Sequence, residues 1–315
     1  MSSKQGAAAA RKAGPGGLER VLRAGHFALT AEVTPPLSSN PARLLEKALP
    51  LKGYADAVNV TDGASARAHM SSVASAAILV QNGIEPILQV TCRDRNRIAI
   101  QSDLLGAAAL GVRNVLVLTG DDPKAGDQPE TKPVFDLNST AVIATAKAMR
   151  DDAKLPSGRE IQDPPQLFIG AADLPIDPPA GWKADGLRAK ADAGAQFVQT
   201  QFCFDMAIVR RYAERLGELG LTERLSILIG IGPLSSAKSA RWMRQNLYGT
   251  TIPDAIIERM EAAREPKQEG ARLCAELLQE LAEIPGIAGA HLMAPLNEAA
   301  VPTAIEASGL LKRRG

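Results

Sequence analysis

Aromatic residues are scarce in this chain, with Phe, Trp and Tyr making up 3% of its 315 residues. So few flat rings leave no stacking platform for exposed bases or sugars. Cysteine is also sparse. Cys92, Cys203 and Cys274 lie far apart and form neither a CxxC pair nor an even-numbered set. That excludes a disulfide framework or a structural zinc site and predicts three reduced thiols. Neither sign of charge prevails, since 36 Lys and Arg face 35 Asp and Glu for a formal charge of +1. No electrostatic footprint for nucleic acid or an anionic membrane follows from that balance. No apolar run approaches the roughly 20 residues that span a bilayer. HExxH and HxxxH are missing, so no metal site is expected. GxSxG is missing too, which leaves nucleophilic hydrolysis without support.

What the chain does have is alternation. Short apolar runs recur at Phe27–Val33, Asp56–Val60, Ile87–Thr91, Asn114–Leu118, Leu167–Ala171, Phe197–Gln201, Ser226–Ile231 and Ala290–Met293. Between them lie stretches of helical spacing, such as Pro41–Leu49, Ser71–Asn82, Arg97–Leu110, Ser139–Met149, Lys183–Ala193 and Met206–Leu219. Three more, Ala237–Asn246, Pro253–Met260 and Lys267–Glu283, precede the last run. Strands that alternate with helices imply a parallel sheet with right-handed crossovers. Eight such units predict an α/β fold of the closed (β/α)8 TIM barrel type, as a single domain over residues 21–315. No GxGxxG follows the first strand, which counts against a dinucleotide-binding open sheet. Residues 1–20 read as a disordered lead-in. Met1–Gly17 contains no hydrophobic core of a secretory signal, so a cytoplasmic protein is expected.

Barrel enzymes build their sites at the carboxyl ends of the strands. The fourth run breaks there into Thr119-Gly120-Asp121-Asp122-Pro123, an acidic turn that opens the polar stretch Asp121–Asp136. A second polar insertion, Ile176–Lys183, follows the fifth run. Asp121 is thus placed to act on a bound molecule, although an Asp after Gly can also simply satisfy a turn. Glu32 interrupts the apolar run Leu29-Thr30-Ala31-Glu32-Val33. Burial without a partner would raise its pKa, as a general acid near neutral pH requires, and a salt-bridged structural acid is the competing reading. Gln201 follows Gln199 at an interval of two, and its amide can both donate to and accept from a heterocycle edge or another interior group. His26, His69 and His291 are weak signals.

Taken together these strand ends resemble a known family. Ala31-Glu32-Val33-Thr34-Pro35-Pro36, Val60-Thr61-Asp62-Gly63-Ala64, Thr91-Cys92-Arg93-Asp94, Leu118-Thr119-Gly120-Asp121, Thr200-Gln201-Phe202-Cys203-Phe204-Asp205 and Gly232-Pro233-Leu234-Ser235-Ser236 look like the motifs of methylenetetrahydrofolate reductases, in that family's order. The turn after the fourth strand, with Val134-Phe135-Asp136-Leu137, is most similar to the branch that includes acetogen-type enzymes.

The resemblance implies a barrel with FAD at the strand ends that interconverts 5,10-methylenetetrahydrofolate and 5-methyltetrahydrofolate by hydride transfer at flavin N5. By motif, Glu32 matches the acid that protonates the folate's imidazolidine nitrogen and opens that ring to an iminium cation. Asp121 matches the aspartate near flavin and pterin that stabilises the cation, and Gln201 the glutamine that binds the pterin. Thr61, Gln89, Thr119, Gly120, Asp121, Ala172 and Lys190 fall on flavin-contacting positions, with Lys190 facing the phosphates.

This chain also departs from the pattern. Gln89 stands where many members carry His, Asp173-Leu174-Pro175-Ile176-Asp177 replaces an aromatic and His-containing segment, Ala237 replaces a Phe, and Glu298 stands where an Arg is common. These changes bear on the electron donor: NADH or NADPH is one expectation and a redox partner protein the other, with the same folate chemistry run oxidatively a further variant. A non-catalytic folate- or flavin-binding barrel is the alternative from another class, and retention of Glu32, Asp121 and Gln201 argues against it. No regulatory domain of the eukaryotic kind follows the barrel in the sequence, so S-adenosylmethionine control is not expected. A homo-oligomer is expected from the family.

Overall fold

A computed structural model describes residues 16–295 and 297–314. Eight parallel strands close on themselves in chain order: β1 Ala28–Val33, β2 Ala57–Val60, β3 Pro86–Thr91, β4 Asn114–Leu118, β5 Phe168–Asp173, β6 Phe197–Phe202, β7 Ser226–Ile231 and β8 Ile287–Leu292. Closure is made by β1 against β8, with Ala28 opposite Gly289 and Ala31 opposite Leu292. The (β/α)8 architecture is therefore as the alternation of the sequence implies.

The helices among the described residues are α1 Gly17–Arg23, α2 Pro41–Ala48, α3 Ser72–Gln81, α4 Arg97–Ala109, α5 Ser139–Asp151, α6 Asp185–Ala193, α7 Met206–Glu218, α8 Ala237–Asn246, α9 Asp254–Ala262, α10 Pro266–Leu281 and α11 Ala300–Ser308. Local chemistry sets where several begin. The Asn40, Asn96 and Asn138 side chains accept from backbone N–H groups of the first turns of α2, α4 and α5, and Asp205 and Ser236 do so for α7 and α8. Each such cap satisfies donors a helix cannot satisfy itself and is worth ~1 kcal/mol. All five follow a strand, so they fix the points at which the chain leaves the barrel mouth.

Side chains alternate along each strand. Leu29, Ala31 and Val33 of β1 join the large core between sheet and helices, while Ala28 joins a second cluster with Ala57, Ile87, Leu116, Phe168, Phe197 and Leu228. This second cluster fills the barrel floor. Phe168 and Phe197 stack there with ring centroids 4.9 Å apart. Gly170 makes room for that stack, because a Cβ on it would lie 2.3 Å from the Phe197 ring.

Leu18 and Leu22 of α1 complete the floor cluster. The Glu85 carboxylate holds α1 in place, accepting from the backbone N–H of Gly17 (2.5 Å) and Leu18 (3.0 Å), and a negative group at a helix N-terminus is favourable. Residues 17–20, expected as part of a disordered lead-in, thus belong to a helix that plugs the barrel; residues 1–15 of that lead-in lie outside the described residues. The sequence reading also places β8 at Ala290, whereas it begins at Ile287. Ala288 and Gly289 weaken the apolar signal, but Gly289 is needed: its Cβ would stand 2.4 Å from the Ala28 carbonyl oxygen of β1. No helix among the described residues is long and apolar enough to cross a membrane.

Candidate active site

Parallel register brings the ends of β1 to β6 to one rim, and with them Glu32, Thr61, Gln89, Thr119, Gly120, Asp121, Ala172 and Gln201. Glu32, near the end of β1, is half-buried and not alone. The Gln89 amide donates to its Oε2 at 3.0 Å, and His291 Nε2 stands 3.5 Å from the same oxygen. Of the two readings of Glu32, the structure shows the partnered one: β8, next to β1, and β3, one strand beyond β2, each supply a group to it. Gln89, expected at a flavin contact, is the acid's donor in this structure.

Beneath Glu32 lies a buried polar layer that crosses the lumen. Asn59 and Gln199 exchange two amide hydrogen bonds (2.6 and 3.1 Å), and Gln199 Nε2 also donates to Thr30 Oγ1 at 2.9 Å. Thr30 Oγ1 and Gln199 Nε2 lie 3.1 and 3.3 Å from His291 Nδ1, and Thr30 Oγ1 also donates to the Ala290 carbonyl at 3.3 Å. His291, a weak signal in the sequence, is therefore the inner wall of the site. Its place in β8, opposite Thr30 in the closing register, is what reveals it.

Asp121 follows β4 and is exposed. Its Oδ2 accepts from the backbone N–H of Ser65 at 2.8 Å, which ties the loop after β4 to the loop after β2. Ser65 and Ala66 hold left-handed φ of 56° and 52° there, so the bond stabilises a strained loop as well as displaying a carboxylate at the mouth. Thr119 is exposed beside it. Gly120 has φ +94°, and a Cβ on it would come within 3.0 Å of the Arg93 Cβ. Arg93, itself buried, bonds the backbone carbonyls of Asp121 (3.1 Å) and Gly63 (3.2 Å) and pairs with Asp94. Asp62 anchors the next layer out, accepting from the Thr91 N–H and hydroxyl (both 2.9 Å), from Ser72 and from Arg95. Burial alone would push Asp62 up, but the Arg95 guanidinium and the Thr91 donors outweigh it and hold the carboxyl below the usual range. The motif residues Asp62 and Arg93 are thus framework of the mouth, a role the sequence does not assign.

Gln201 sits at a register shift between β6 and β7. Its Oε1 accepts from the adjacent Phe202 N–H at 2.9 Å, and no bond joins it to Glu32 or Asp121 in this structure. Thr61 is buried just past β2, and its hydroxyl has no hydrogen-bond partner among the described residues. On the far side, Lys190 of α6 donates to the Ala172 carbonyl at 2.6 Å. The structure therefore pairs Glu32 with Gln89 and Lys190 with Ala172, and sets Asp121, Thr119, Gly120, Thr61 and Gln201 around them at the same rim.

The three cysteines are all buried as free thiols; burial pushes Cys92 up to about 11 and Cys203 to about 12, so neither is a thiolate near neutral pH. Among the described residues no group of three or more His, Cys, Asp or Glu is placed to hold a metal ion.

The family model for methylenetetrahydrofolate reductase matches residues 17–309. This chain belongs to the methylenetetrahydrofolate reductase family. It is 27% identical over 253 residues to a probable methylenetetrahydrofolate reductase (NADPH) of Caenorhabditis elegans, covering 78% of this chain and 35% of that protein. To the 5,10-methylenetetrahydrofolate reductase of Salmonella typhimurium it is 28% identical over 187 residues, covering 58% and 56% respectively. The chain therefore spans roughly a third to just over half the length of these relatives. A solved Clostridium thermocellum protein, described as binding two copies of 5-methyl-5,6,7,8-tetrahydrofolic acid, shares the fold with a TM-score of 0.60 at 14% identity, over 92% of this chain and 99% of that one.

Proposed function

We propose that this protein is a flavin-dependent 5,10-methylenetetrahydrofolate reductase whose proton donor is Glu32. The observation that carries this reading is the setting of Glu32: a half-buried carboxyl at the mouth of a reductase-family barrel, held by Gln89 and faced by the Nε2 of His291. The Clostridium neighbour with bound methyltetrahydrofolate supports the choice of substrate class.

The residues at the rim fit FAD. The Thr61 hydroxyl is buried and unpartnered, which is the state of a group awaiting a polar ligand atom. Lys190 supplies a cation for phosphate. When bound, the flavin supplies the hydride to the one-carbon unit. The chain's own residues do the rest. Glu32 delivers a proton to the imidazolidine nitrogen of the folate, and Gln89 and His291 fix where its Oε2 points. Asp121, freed from Ser65, presents negative charge to the cation formed when that ring opens. Gln201 exchanges its local bond to Phe202 for the pterin edge.

NADH or NADPH as electron donor is the first reading. Reduction by a partner protein, or net oxidation of methyltetrahydrofolate, is the second. It is favoured by Glu298, which lies at the mouth paired with Lys47 at 3.6 Å and so offers an acid rather than a free cation to a dinucleotide. Mixing the flavin-loaded protein anaerobically with NADH and with NADPH separates the two: bleaching of the flavin by either supports the first, and none by both supports the second. The enzyme is expected to act in the cytoplasm as a homo-oligomer.

Glu32→Gln tests the assignment of the acid. That variant should bind FAD normally and lose folate reduction by at least about a hundredfold, the lower end for a general acid. Near-normal turnover would remove Glu32 from the role.

A further inference from the structure

Asp173, the last residue of β5, carries a feature the site described above does not use. Its carboxyl is half-buried and accepts from the Tyr212 hydroxyl of α7 at 2.5 Å and from the Leu174 backbone N–H. Tyr212 is itself fully buried, braced by Trp182 with ring centroids 6.0 Å apart. One residue away, the Ala172 carbonyl takes the Lys190 ammonium at 2.6 Å. Lys190 and Asp173 sense each other's charge but form no ion pair within 4 Å. A buried carboxylate beside a lysine would ordinarily claim it, since pairing is what offsets the cost of burying charge. Here the Tyr212 hydroxyl and the Leu174 N–H hold the carboxyl instead. Burial raises Asp173 despite these donors and the nearby ammonium.

We propose that Tyr212 and Asp173 form a positioning device that keeps Lys190 available to the diphosphate of FAD. Tyr212 occupies Asp173 so that the carboxylate does not compete with phosphate for the ammonium. Ala172 then holds Lys190 by a neutral carbonyl, which a doubly charged phosphate group displaces readily. Tyr212 and Asp173 act only through Lys190 and touch neither flavin nor folate. The proposal rests on the FAD reading above, and the test separates the two.

FAD and riboflavin affinities are measured by flavin fluorescence quenching on the full chain for wild type, Tyr212→Phe, Asp173→Asn and the double variant. Tyr212→Phe frees the carboxylate to pair with Lys190 and should weaken FAD at least about tenfold, the scale of one charge-assisted contact, while leaving riboflavin affinity unchanged. Asp173→Asn should bind FAD as tightly as wild type. The double variant should recover wild-type affinity to within a factor of about three, which loss of packing alone cannot produce. Unchanged FAD affinity in Tyr212→Phe overturns the proposal. So does a weakened Tyr212→Phe that Asp173→Asn fails to rescue, or an equal loss for riboflavin. Should Tyr212→Phe fail to fold, a weakened FAD affinity in Asp173→Asn alone overturns it. Wild-type protein that binds no FAD contradicts the function proposed above rather than this device.

Discussion

Asp121 serves two demands that a single substitution can separate. Its Oδ2 caps the strained Ser65 backbone and its charge faces the mouth. Asp121→Asn keeps an acceptor for the Ser65 N–H but removes the charge. Stability in urea should stay within about 0.5 kcal/mol of wild type, while folate reduction slows at least about tenfold. Unchanged kinetics would reduce Asp121 to a loop tie. Asp62 has the opposite character. Asp62→Asn removes the charge that Arg95 and the Thr91 donors meet, while Arg95 keeps its pair with Asp103 at 2.8 Å, so it should cost about 1–3 kcal/mol in denaturant unfolding. A loss under about 1 kcal/mol would show that Asp103 alone suffices for Arg95.

The folded pKa of Asp62 is lowered relative to its unfolded value, so its contribution is present above the unfolded pKa and disappears as pH falls through the folded one. Wild-type stability should therefore drop more steeply below about pH 4 than that of Asp62→Asn. The acids were legible as residues because Glu32 breaks an apolar strand and Asp121 ends one. Their partners were not. His291 and Gln89 reach Glu32 only because β8 and β3 flank β1 and β2 in the closed sheet, a relation without any sequence spacing.

At the scale of elements, close approach rather than propensity decides the glycines. Gly270 sits in the first half of α10, where a Cβ would fall 1.7 Å from the Leu234 carbonyl oxygen, backbone that cannot step aside. Gly106 lies within α4 with nothing within 4 Å of its would-be Cβ. Gly270→Ala should destabilise by at least about 2 kcal/mol, whereas Gly106→Ala should stabilise by ~0.5–1 kcal/mol through helix propensity. Thermal unfolding of the pair checks both signs, and a stabilising Gly270→Ala would mean that α10 does not press on the loop after β7. The strands and most helices follow from periodicity and their Asn, Asp and Ser caps. α1 was missed because a seven-residue helix in a Gly- and Ala-rich segment has no period to show. Its packing against the barrel floor, and the Glu85 carboxylate at its start, make it a helix.

The whole molecule is a closed barrel whose floor is apolar and whose mouth is lined by Glu32, Gln89, Thr61, Asp121, Gln201 and Lys190. Its asymmetry follows from access: ligand enters from the rim, where the polar groups of the site gather. A cofactor bound at that end stabilises the folded state by mass action. FAD at a hundred times its dissociation constant should add about 2.7 kcal/mol to unfolding. The most direct measurement reduces the bound flavin chemically under anaerobic conditions and mixes it with 5,10-methylenetetrahydrofolate in a stopped-flow spectrometer. The expected result is return of the oxidised flavin spectrum with formation of 5-methyltetrahydrofolate, lost in Glu32→Gln. Flavin that stays reduced in the presence of saturating folate would contradict the proposed reaction.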